Sequence, residues 1–188
     1  MTCDLKLVAL IAIALSAAPS VRAQPPGTEQ LIGTFVGQAE DDPAIGKKHE
    51  QRDIVMEILP HDDHGLRLRW HNVTLVDGRR DVPGVKFRRD ELLLVPAPER
   101  SFFLAVVGYD PFALKKEPDA VNGDPLRWGT LTDDGLDVFS FVILEDGTYE
   151  LQASRRGPER EGVSLEFERI VDGEVVRHMS GHAVRAAE

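Results

Sequence analysis

An antiparallel all-β fold, an up-and-down meander closing into a barrel of about 8–11 strands, is what this sequence predicts, and three observations carry the prediction. Four Asp-Gly pairs, Asp77-Gly78, Asp134-Gly135, Asp146-Gly147 and Asp172-Gly173, each stand between apolar runs, a strong short-range hairpin signal. Apolar and polar residues alternate with period two. Leu66, Leu68 and Trp70 oppose Arg67, Arg69 and His71, and Val163, Leu165 and Phe167 oppose Ser164, Glu166 and Glu168. No segment after residue 23 keeps a helical apolar period for three turns.

Taken in chain order, residues 1–23 read as a secretory signal peptide: Lys6, a twelve-residue apolar run over 7–18, Pro19, and Val21 and Ala23 in a small-residue cleavage pattern. The run is too short for a helix across a hydrocarbon core of about 30 Å. Cleavage after Ala23 is expected, with an uncleaved amino-terminal anchor as the alternative. It removes Cys3, the single cysteine, and leaves a thiol-free chain with no integral membrane span, suited to an oxidising bacterial periplasm. Residues 24–30 read as a flexible segment and 31–185 as one barrel domain. Strands are expected over 31–39, 52–59, 66–75, 84–89, 91–96, 101–107, 126–132, 136–144, 148–155, 162–170 and 174–184. Asp110-Pro111 opens at most one short helix, near 111–117. The hairpin between the second and third strands is His61 to Gly65. So many twisted strands seldom leave open edges, which favours closure; a two-sheet sandwich is the rival.

The opening strand, "LIGTFVGQA" from Leu31 to Ala39, resembles that of lipocalin-like (calycin) barrels, whose Gly-x-Trp pattern here reads Gly33-Thr34-Phe35. The resemblance implies a barrel holding an apolar or mixed ligand. The segments "GYDPF" and "YELQ" are also similar to uncharacterised secreted proteobacterial proteins.

The formal charge is −10, from 22 Lys and Arg against 32 Asp and Glu, which argues against a nucleic-acid partner. No dinucleotide fingerprint, phosphate loop, nucleophile elbow or zinc-protease motif is present, so no catalytic residues, metal or cofactor are assigned and a non-enzyme is expected. His61, Asp62, Asp63 and His64 are metal-ligand types, but in a turn they read as a solvated hairpin. His178 and His182, four apart on a strand, stand about 13 Å from one another. They are expected to face outward, with Val175, Met179 and Ala183 in the core. Seven basic residues (Arg67, Arg69, Arg79, Arg80, Lys86, Arg88 and Arg89) make one stretch positive; it reads either as an anion site or as the paired face of a hairpin. Trp70, Phe35, Met56 and Phe87 read as core. The connection 108–125 is long for a meander and carries Tyr109 and Phe112, with Trp128 just beyond; it is either a lid over a ligand or a plug. The expected function is a small-molecule binding barrel, with Trp70, Asn72, Thr74, Tyr109, Phe112 and Trp128 as candidate contacts. A filled barrel serving as an envelope structural or protein-interaction domain is the alternative. Oligomeric state is not legible.

Overall fold

The computed structural model describes residues 28–46, 49–62, 64–97, 102–106 and 118–187. Ten strands follow one another: β1 (Gly33–Asp41), β2 (Gln51–His61), β3 (Gly65–Thr74), β4 (Lys86–Pro96), β5 (Phe102–Val106), β6 (Leu126–Thr132), β7 (Gly135–Ile143), β8 (Tyr149–Pro158), β9 (Gly162–Val171) and β10 (Glu174–Arg185). Each pairs antiparallel with its sequence neighbours, and β1 pairs with β10, Phe35 opposite Arg185 through Asp41 opposite Met179, so the meander closes into a barrel. Closure satisfies the main-chain groups that edge strands would leave bare. No helix among the described residues is long and apolar enough to cross a membrane.

The Asp-Gly turns do what their chemistry allows. Asp172 and Gly173 sit at φ 50° and 86°, and Asp77 and Gly78 at φ 50° and 71°, the left-handed conformations of a hairpin turn matching strand twist. One expected division is corrected. The segments 84–89 and 91–96 form a single strand, β4, because β3 offers an unbroken run of partners from Leu66 opposite Leu94 to Thr74 opposite Lys86. Asp90, left between the two expected strands, therefore lies mid-strand. The short helix expected near 111–117 falls outside the described residues. They do contain a 3-10 turn over Ala120–Asn122, capped by Asp119, whose Oδ1 accepts from the Val121 N–H at 3.1 Å.

Side chains of one parity point inward, and they differ between the two ends. At one end Phe35, Ile58, Leu66, Leu68, Leu94 and Leu136 are at most 0% exposed and form a solid apolar core with Phe103 and Val163. Each such side chain contributes about 1.5–3 kcal/mol by leaving water. Leu31 closes this end from a turn in which its N–H donates to the Thr28 carbonyl at 2.9 Å. Thr28 is itself buried, so chain packing begins inside the segment expected to be flexible, of which 24–27 lie outside the described residues. Arg185 donates to the main-chain carbonyls of Gln30 (2.8 Å) and Ile32 and lies over the Phe35 ring at 4.9 Å, tying β10 to the chain before β1. Phe87, expected in the core, is on the outer wall, 59% exposed, with its ring edge-on to His71 at 5.8 Å. It opposes Val73, which belongs to the outward parity of β3. Met179 and Ala183 are buried as expected, but Val175 is exposed, since β10 bulges between Val175 and Arg177 and breaks the alternation.

Candidate functional site: the open half of the barrel

The inward face changes character halfway along the barrel. Above the apolar floor of Met56, Leu92, Val138 and Leu165, the lumen opens into a cavity of about 840 Å³. It reaches the end where the β1–β2, β3–β4, β7–β8 and β9–β10 hairpins lie. β5 ends and β6 begins at this end too. β5 is five residues long against eleven in β4, and Leu93 opposite Val106 is the last described pair between them. Where β5 stops, Arg127 of β6 reaches Asp90 of β4 at 3.4 Å.

Trp70, Asn72 and Thr74 occupy alternate positions of β3 and all line this cavity. The Asn72 Oδ1 is buried with no hydrogen-bond partner among the described residues, so an acceptor is held ready in the wall. Trp128 is elsewhere: its neighbour Gly129 points into the core, and Trp128 stacks on Phe139 at 5.2 Å on the outer wall. Tyr109 and Phe112 lie outside the described residues.

Several lumen residues carry no sequence signature. On β8 the inward set is Glu150, Gln152, Ser154 and Arg156, and the outward set is Tyr149, Leu151, Ala153 and Arg155. The polar face of this strand therefore looks inward. Strand alternation was visible in the sequence, but not which parity faces the lumen.

Most lumen charges are paired. Arg177 donates to both Asp41 oxygens (2.6 and 2.9 Å) and to Glu50 at 2.8 Å, and Arg52 donates to the same Glu50 oxygen at 3.0 Å. Burial pushes the Glu50 carboxyl up, but the hydrogen bonds from Arg177 and Arg52 outweigh it and hold the group at about 2. Arg169 donates to Glu150 at 2.9 and 2.5 Å, and this contact, against partial desolvation, keeps Glu150 below the ordinary carboxylate range. Arg156 differs. It is 6% exposed, its Nε donates to the Met56 sulfur at 3.2 Å and its Nη1 to the Ser154 carbonyl at 3.0 Å, and no carboxylate among the described residues touches it. Desolvation pulls it down to about 10, which leaves it charged at neutral pH.

The basic stretch of the sequence divides between the two sides of the wall. Arg67 and Arg69 pair with Glu91, Arg79 with Asp81 and Arg80 with Asp53, all outside the lumen. Lys86 and Arg88 share the inward parity of Asp90 and Leu92 and line the cavity. His178 and His182 face outward as expected, 3.6 Å from Asp42 and 3.1 Å from Glu159. Among the described residues no group of three or more His, Cys, Asp or Glu side chains is placed to share a metal ion.

No family model matches the chain, and no curated protein matches it. Among solved structures the chain is similar to the S-type phycobiliprotein lyase CPES from Guillardia theta, at 10% identity and a TM-score of 0.49, over 85% of this chain and 90% of that one.

Proposed function

We propose that this protein is an exported, non-enzymatic binding barrel that holds a small molecule in the open half of its lumen. One observation carries the reading. A cavity of about 840 Å³ with an apolar floor, an aromatic wall at Trp70 and polar groups at Asn72, Thr74, Ser140 and Gln152 stands open at one end of an otherwise solid barrel. Binding clefts for small ligands usually enclose about 300–1,000 Å³ and mix apolar walls with a few fixed polar groups. The two His–carboxylate contacts among the described residues are on the outer wall, away from the cavity, which favours a carrier over a catalyst.

Native mass spectrometry of the full chain, expressed with its own leader and purified gently, tests this. Ser140 is inward and half-buried on β7, so Ser140→Trp fills the lumen from a rigid strand. A reproducible non-covalent adduct in the wild type that is missing from Ser140→Trp is the expected result. A bare mass in both, or an adduct indifferent to the substitution, overturns the reading.

A second reading, a protein-interaction domain, draws on the outer wall. There Trp128 stacks on Phe139, Phe141 lies 5.9 Å from Tyr149, and Leu104 and Leu126 are 45% and 41% exposed. Such a contiguous apolar area is a known mark of association surfaces.

A further inference from the structure

We infer that the ligand is an organic anion whose acid group seats against Arg156, at the boundary between the wet cavity and the apolar floor. The inference rests on the binding-barrel reading and adds the chemical class of the ligand.

Arg156 carries the argument because it departs from every rule its neighbours obey. A guanidinium has five N–H donors. Two are used, on the Met56 sulfur and the Ser154 carbonyl, which leaves three without an acceptor among the described residues, on a side chain that lines the cavity. Thioether sulfur is a weak acceptor, so even that contact is soft. Buried charges in proteins are paired, and an unpaired one opposes folding. The carboxylate nearest in electrostatic effect, Asp137, is on the outward parity of β7 and is already held by Arg155 at 2.8 and 3.2 Å. Arg156 is thus buried, charged and part of the cavity lining, with no counter-ion among the described residues. A planar fork of free N–H groups matches a carboxylate, sulfonate or phosphate oxygen pair.

The rest of the lumen agrees. Of its inward cations, Arg52, Arg127, Arg169 and Arg177 each hold a carboxylate, whereas Lys86 and Arg88 near the mouth hold none among the described residues. An excess of positive charge lines the way in, inside a chain of formal charge −10. A cleft of one sign focuses its field and draws the opposite charge inward. The same cavity is lined by the apolar floor and by Trp70 and Phe167, so the body of the ligand is aromatic or aliphatic.

Two fluorescent probes that differ by one acid group test this on the full-length protein: 8-anilinonaphthalene-1-sulfonate and the uncharged N-phenyl-1-naphthylamine. The sulfonate is expected to bind at one site more tightly than the neutral probe. Arg156→Met, of similar volume, is expected to weaken the sulfonate by roughly 10- to 100-fold, the worth of a charge-assisted contact, and to leave the neutral probe within a factor of about two. The same variant is expected to unfold at a higher temperature, since it removes an unpaired charge, so loss of binding cannot be ascribed to loss of fold. Arg156→Lys keeps charge without the fork and should fall between. Equal affinity for both probes, or sulfonate binding indifferent to Arg156→Met, overturns the anion inference while leaving a binding barrel. Failure of both probes to saturate any site overturns both.

Discussion

Two arginines of the lumen, Arg156 and Arg177, show how position decides what a charge does. Arg177 sits between Asp41 and Glu50; burial works to lower its affinity for a proton, but hydrogen bonds of 2.6 to 2.9 Å to both carboxylates, and their charges, outweigh it and raise that affinity. Arg156 has no such neighbours and its proton is loosened instead. The first arrangement makes stability depend on pH. Glu50 titrates at about 2 in the folded chain, against 4.5 as its ordinary value, so the folded state binds the proton more weakly than the unfolded one. Its contribution is complete above about 4.5 and is lost as pH falls from there towards 2. Urea midpoints at pH 7, 4.5 and 3 should therefore drop across the last interval, and Glu50→Gln should flatten that drop while lowering the midpoint at pH 7. An identical acid profile for wild type and variant would remove the Arg177–Glu50–Arg52 contacts from the account.

At the scale of elements, closure depends on how nearly β1 and β10 approach. A Cβ on Gly181 would collide with the Gln38 carbonyl and the Ala39 backbone, and one on Gly37 with the His182 carbonyl. Main chain cannot yield as a side chain can, so Gly181→Val is expected to cost about 3 kcal/mol, at the upper end of overpacking penalties. Ser180→Val, one residue away on the exposed face, is expected to change stability by less than about 0.5 kcal/mol. Chemical denaturation measures both, and equal effects would show that the seam tolerates side chains.

These elements were legible because their signals are local. Asp-Gly turns and period-two alternation depend on a few consecutive residues, and they marked the hairpins Asp77-Gly78 and Asp172-Gly173 where the structure has them. The division between 84–89 and 91–96 fails at Asp90, because in the barrel this acidic residue faces the lumen mid-strand and meets Arg127. The site was legible in part. Trp70, Asn72 and Thr74 follow from alternation on β3, whose apolar parity faces in. On β8 the same rule points the wrong way. Glu150, Gln152, Ser154 and Arg156 face in and Leu151 faces out, because that half of the lumen is a polar-lined cavity rather than core. Period two reports that a strand has two faces; which face is inside is settled by strands far away in sequence. Trp128 was placed near the mouth by its nearness to the long connection, but one residue of strand is enough to send it to the other side of the wall.

The whole molecule combines a solid half and an open half. The solid half supplies the stability that lets the open half keep an unpaired cation and an unfilled acceptor at Asn72, features that oppose folding and suit binding. Sequence and fold also place the two tryptophans of the chain on opposite sides of one wall: Trp70 lines the cavity, and Trp128 stacks on Phe139 outside. Fluorine NMR of the full-length protein labelled with 5-fluorotryptophan gives one resonance for each, assigned with Trp128→Phe. On titration with 8-anilinonaphthalene-1-sulfonate, the Trp70 resonance is predicted to shift saturably at one equivalent while that of Trp128 stays in place. Movement of Trp128 alone, or of neither, would contradict a ligand site inside the barrel.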